Sequence, residues 1–131
     1  MIGDSHCPLC LAASAEEFWA GPRRRYLRCR RCALVYVPPE FYLDRESERR
    51  EYDLHRNDVH DPAYRGFLAR LADPLLERLP PGASGLDFGC GPGPALAHML
   101  EQAGCRVALY DSFYHPDEKV LRGKYDFICA K

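Results

Sequence analysis

Apolar residues recur at helical spacing over one stretch of the chain and cluster in short strand-like runs elsewhere. Tyr64, Phe67, Leu68, Leu71, Leu75, Leu76 and Leu79 fall on one face of a period of about 3.6 residues. Asp61-Pro62 ahead of them supplies an N-cap and a first-turn proline, and Pro80-Pro81-Gly82 ends the run. The spacing predicts an amphipathic helix whose apolar face is core packing, with Pro74 as a kink or break inside it. Short apolar clusters predict strands at Glu17-Phe18-Trp19, at Tyr26-Leu27 and at Leu34 to Val37, the last stopped by Pro38-Pro39. Three more are expected at Gly85 to Phe88, Cys105 to Tyr110 and Tyr125 to Ala130. A helix from about Pro94 to Ala103, closed by Gly104, joins the first two of these. Strand, helix, strand is a βαβ unit, which implies a parallel sheet and an α/β fold.

Polar patterning fills the middle of the chain. Asp44 to Asp53 is dense in both charge signs, with Glu46 and Arg50 at i,i+4, and predicts a solvated helix. Tyr52, His55 and Asn57 interrupt that pattern and read as packing or surface positions ahead of a pocket lid. The chain therefore divides into a small N-terminal segment at 1–40, a helical linker at 41–81, and the βαβ segment at 82–131. Between Asp111 and Tyr125 only Lys119-Val120-Leu121 offers a further strand.

Composition adds little: 131 residues, 47% hydrophobic, 28% charged and a net charge of −1 describe an ordinary globular chain. The start of the chain lacks the basic and apolar regions of a signal peptide, and no apolar run reaches the roughly 18 residues of a membrane span. A cytoplasmic protein with no membrane partner is the expectation. Cysteine usage changes the picture more. Seven cysteines without a secretory signal argue against a disulfide framework. Four of them, Cys7, Cys10, Cys29 and Cys32, form two CxxC pairs separated by eighteen residues, the spacing of a four-thiolate zinc ribbon. So short a segment buries little core, and a structural Zn²⁺ would supply the missing stability. Cys90, Cys105 and Cys129 sit among apolar or glycine neighbours and read as small buried residues. Six arginines lie between Arg23 and Arg31. They would either face a nucleic acid or balance a dianionic zinc–tetrathiolate centre, and a nearly neutral chain with one basic loop favours the second.

The richest chemistry lies at Leu86 to Gly93, LDFGCGPG. A buried strand ends in Asp87-Phe88, and Gly89, Gly91 and Gly93 then alternate ahead of a helix start, which lets backbone approach a ligand closely. A dinucleotide fingerprint wants a glycine where Pro94 stands, and no Lys-Ser/Thr follows for a phosphate loop. Asp111 ends the next strand twenty-two residues after Gly89, where a carboxylate can accept hydrogen bonds from ribose hydroxyls. Turn chemistry alone would require the glycines, Asp87 and Asp111 to coincide by chance.

With these residues in place, the chain resembles the class I S-adenosylmethionine-dependent methyltransferases, through DFGCGPG at Asp87–Gly93 and the acid at Asp111. Together with CPLC and CRRC it is similar to a zinc-ribbon subgroup of them. The resemblance implies a Rossmann-like sheet preceded by a small zinc ribbon and a helical linker. It implies that S-adenosylmethionine meets Gly89, Gly91 and Gly93 with its methionine portion, and Asp111 with its ribose. Asp87 would hold the loop or reach the amino group through water, and Ser112 or Phe113 would lie against the adenine. The family's sheet has seven strands, whereas this chain ends after the one corresponding to the fourth. The expectation is a piece of a longer enzyme, ahead of a dimer formed through the apolar edge at Tyr125 to Ala130.

Methyl transfer from a sulfonium needs alignment and water exclusion more than a general base. His55, His60, His98 and His115 are scattered, and no catalytic residue is assigned. The reading is thus a methyltransferase with an unknown acceptor. The alternative is a non-catalytic zinc-ribbon module binding RNA or a protein; a nicotinamide-dependent oxidoreductase comes third, opposed by Pro94.

Overall fold

The computed structural model describes residues 6–55 and 58–131. They form two compact units, 1–48 and 49–131, each with its own sheet. In the first, β1 (Ala15–Ala20), β2 (Arg25–Cys29) and β3 (Val35–Tyr36) make an antiparallel meander in that order. The register between β1 and β2 shifts between Glu17 and Trp19, and the Trp19 ring lies where a side chain at Gly21 would project. That close approach requires glycine at the turn. The core is small, comprising Cys7, Leu27, Cys29 and Tyr36 with Cys10, Ala12, Ala15, Cys32 and Leu34 packed against them. It contains all four cysteines of the CxxC pairs.

Helix α1 (Arg45–Asp53) crosses the boundary between the units and buries none of its residues. The second unit continues with α2 (Pro62–Leu76), β4 (Ser84–Phe88), α3 (Ala95–Gln102), β5 (Arg106–Tyr110) and β6 (Phe127–Ala130). Asp61 caps α2 by accepting from the Ala63 amide, with Pro62 in the first turn. Pro74 does not break the helix. It lies near the C-terminal end, so little helix remains beyond it to be disrupted. Helix α3 ends in a Schellman turn: Gly104 N–H donates to Glu101 O, Cys105 N–H donates to Leu100 O, and Gly104 has φ +96°.

Strands β5, β4 and β6 pair in parallel in that order, so β4 is central. The chain leaves β4, crosses through α3 to β5, and returns to β4's other side as β6. Leu68, Ala72, Leu96, Leu100, Phe127 and Cys129 are among the buried residues that join α2 and α3 to the sheet. The Phe127 ring occupies the space a side chain at Gly85 would need. The segment Lys119-Val120-Leu121 is not a strand; it belongs to a 3₁₀ helix over Glu118–Arg122, begun by Asp117 accepting from the Lys119 amide. Asn57 and the first five residues lie outside the described residues. Among the described residues no helix is long and apolar enough to cross a membrane.

Candidate functional site

The carboxyl end of β4 carries the glycine turn, and this is where open parallel sheets present ligands. Gly89 and Gly91 have φ of +74° and +71°, conformations that a side chain would strain. Space around both is open, with nothing within 4 Å of where a Cβ would stand. Gly93 is not among the positive-φ glycines; its carbonyl accepts from Ala95 N at 2.8 Å as α3 begins. Gly89 N and Cys90 N both donate to Tyr110 O, at 2.8 and 3.1 Å, which fastens the turn to the end of β5.

Two carboxylates flank this turn in opposite states. Asp87 is fully buried, and neither of its carboxylate oxygens has a hydrogen-bond partner. Burial, with the nearby Asp111 charge adding to it and Lys131 opposing it, pushes the Asp87 carboxyl above its ordinary range. Its neighbours in space are thiols. Cys129 is its register partner on β6, and Cys90 is pushed up to about 11, first by burial and then by the Asp87 charge. Both thiols therefore stay protonated and weakly reactive.

Asp111 accepts three backbone hydrogen bonds where Asp87 accepts none. Its Oδ2 accepts from Gly91 N at 3.0 Å, while Oδ1 accepts from Phe113 N at 2.9 Å and Tyr114 N at 3.2 Å. The loop is thus held by Asp111 and not by Asp87, which makes no bond to it. A carboxylate has about four acceptor positions, so roughly one remains on Asp111 for a ligand.

A cavity of about 390 Å³ opens beside the turn. Gly89, Cys90, Gly91 and Asp111 form one side of it, and Tyr52, His55, Tyr64 and Phe67 contribute to its aromatic side. Tyr52 and His55 are exposed residues that also line this cavity, and their rings lie 6.2 Å apart. Phe113 does not line this cavity directly but packs on Tyr52, centroids 5.9 Å apart. The pocket-lid role weighed for Tyr52 and His55 is thus the nearer one, but their contact with the 111–115 turn could not be read locally, because α1 and that turn are far apart along the chain.

In the first unit the four cysteine sulfurs all lie within 4.8 Å of one another. Cys7 and Cys32 are 3.5 Å apart, Cys10 and Cys29 3.6 Å. A Zn–S bond of about 2.3 Å gives a tetrahedral S···S edge of about 3.8 Å, so the cluster is compatible with zinc. The two knuckles are built alike. Leu11 N donates to Cys7 O and Ala33 N to Cys29 O, at 2.9 and 3.0 Å. Cys7 N donates to Ala12 O and Cys29 N to Leu34 O, both at 2.9 Å. Leu11 (φ +59°) and Ala33 (φ +63°) share a left-handed conformation disfavoured for both residue types. The Cys29 thiol is lowered to about 6, first by a backbone hydrogen bond from Cys32 and also by the Arg31 amide, which lies 3.4 Å from its sulfur. The arginines beside the cluster are partly neutralised: Arg25 pairs with Glu40 at 2.8 Å and Arg30 with Glu16 at 3.6 Å. A second cavity of about 380 Å³ in this unit, bounded by Arg24, Phe41 and Glu48 among others, contains none of the predicted site residues.

A family model described as a methyltransferase domain matches residues 59–131, which include the glycine turn and every strand of the parallel sheet. The chain belongs to this methyltransferase family. No curated protein matches the chain. Within the matched region, the cavity at β4 is lined by two left-handed glycines and by Asp111, which organises the turn, whereas the buried Asp87 is not among its lining residues.

Proposed function

We propose that this chain binds S-adenosylmethionine at the β4 glycine turn of a Rossmann-like domain and takes part in methyl transfer to an acceptor not yet identified. The unpartnered Asp87 carboxylate carries this reading. A buried carboxylate without donors is costly, on the order of several kcal/mol when charged, unless something else supplies them. A cationic amino group at the turn, reached through water, would do so. Gly89 and Gly91 leave room for the methionine portion to lie along the backbone. Asp111 orders the turn through Gly91 and keeps roughly one acceptor position for a ribose hydroxyl. Tyr52 supplies a ring face for a base, and Phe113 supports that ring from behind the cavity wall.

When bound, the cofactor would supply the electrophilic methyl carbon. The chain's own part is to fix the turn, neutralise the amino group at Asp87, and keep water away with the aromatic wall. We further propose that Cys7, Cys10, Cys29 and Cys32 hold a structural Zn²⁺ that stabilises the first unit.

Calorimetric titration with S-adenosylhomocysteine tests the cofactor reading. The expected result is one site per chain, weakened at least 10-fold in Asp111→Ala, because that change removes both the ribose acceptor and the brace on Gly91. Absence of binding to the wild-type chain overturns it.

A further inference from the structure

Tyr114 ties the last turn of α1 to the glycine turn. Its hydroxyl donates to Asp53 Oδ1, and the Arg49 guanidinium sits 5.6 Å above its ring. Donation to Asp53 pushes the Tyr114 hydroxyl up to about 12, so it remains a donor across the physiological range. From its other end, Tyr114 N donates to Asp111 Oδ1 at 3.2 Å, and Asp111 Oδ2 accepts from Gly91 N at 3.0 Å. One bonded path therefore runs from α1 through Tyr114 and Asp111 to the glycine turn.

The helix at the far end of that path is short and solvent-facing, with Asp44 capping its start by accepting from the Ser47 amide at 2.9 Å. Helix α1 has nine residues, none of them buried. Isolated helices shorter than about 12–15 residues are marginal in water. Its last turn is attached through Asp53 and Arg49 on Tyr114 and through Tyr52 on Phe113. Tyr52, with His55 just beyond the helix, forms part of the cavity wall, while Arg49, Asp53 and Tyr114 do not line the cavity. The path acts on the cavity only by placing that wall.

We propose that the Tyr114–Asp53 hydrogen bond is a latch that holds the end of α1, and with it Tyr52 and His55, against the cofactor cavity, so that latching and cofactor binding strengthen each other. The inference rests on the cofactor reading above. Asp53 and Tyr114 are positioning residues, and linkage requires the coupling to be reciprocal. Ligand binding should protect α1, and loss of the latch should weaken binding by the corresponding factor.

The test combines calorimetry with S-adenosylhomocysteine and amide hydrogen exchange over 49–55. Tyr114→Phe and Asp53→Ala should each weaken binding about 5- to 20-fold. The double variant should be no weaker than either single one, since both remove the same bond. Asp53→Asn, which keeps an acceptor oxygen, should retain most of the affinity. Exchange over 49–55 should slow on ligand addition in the wild type and respond less in Tyr114→Phe. Wild-type affinity in both single variants, or additive losses in the double, overturns the latch. If the wild type does not bind, the cofactor reading fails by itself. The latch is then judged on ligand-free exchange, where faster exchange over 49–55 in Tyr114→Phe supports it and an unchanged rate overturns it.

Discussion

Replacing Asp87 with asparagine should stabilise the free protein and weaken cofactor binding, two effects of opposite benefit from one atom. Both Asp87 oxygens are buried without partners. Leaving a buried polar group unpaired costs about 1–3 kcal/mol, and more when it is charged. Asparagine keeps the shape and an unpaired amide but removes the charge, so a gain of about 1 kcal/mol near neutral pH is expected. In a unit of this size that corresponds to a melting temperature higher by about 4–8 °C. The sign with pH follows from the raised carboxyl. Burial lifts the folded-state pKa above the unfolded value, so the folded state keeps the proton longer. Asp87's own contribution is then fully present below the unfolded value of about 4 and is lost as pH rises through the folded pKa. The advantage of Asp87→Asn should accordingly be small near pH 4 and grow toward neutrality. Binding moves the other way. Losing a charge-assisted hydrogen bond of about 1.5–3 kcal/mol weakens affinity roughly 10- to 150-fold. Thermal melts across this pH range, paired with calorimetry on S-adenosylhomocysteine, measure both. An asparagine variant that is less stable than wild type at neutral pH and binds equally well refutes the reasoning.

Gly91→Ala should cost about 1–2 kcal/mol through its left-handed backbone, and should also lower S-adenosylhomocysteine affinity because relief of that strain shifts the turn whose amide is braced on Asp111. Gly104→Ala, at φ +96° in the Schellman turn of α3, is the matched control: a comparable fall in melting temperature with affinity unchanged. Metal analysis should return one zinc per chain, and Cys10→Ser should reduce occupancy. Trp19 is the chain's only tryptophan and lies in the first unit, so its fluorescence anisotropy should fall when a strong chelator is added.

The periodicity of Tyr64 to Leu79 and the strand–turn–helix at Leu86 to Gly93 were legible because short-range pattern decides them. A capped, amphipathic run has one face to bury, although Phe67 (62% exposed) and Leu71 (41% exposed) on that face are not core as the spacing implied, and alternating glycines after a buried strand have few other uses. The paired CxxC spacing was legible for the same reason, since each knuckle is local and repeats its own hydrogen bonds. The 3₁₀ segment at Glu118–Arg122 was not, because Lys119-Val120-Leu121 is too short for periodicity to separate strand from turn. What the chain brings together over distance was also hidden. Asp53 and Tyr114 are 61 positions apart, and no spacing rule pairs them. Nor did composition show that Asp111 would spend its carboxylate on three amides while Asp87 kept none. That division depends on which acid faces the loop and which faces the sheet interior, and both are decided by strand register.

The most direct test is to irradiate the chain with methyl-tritiated S-adenosylmethionine and map the labelled peptides. The account predicts label in peptides containing Gly89 to Gly93 or Asp111 to Tyr114, displaced by excess S-adenosylhomocysteine. Label confined to the first 48 residues, or no label above that of the denatured chain, would contradict it.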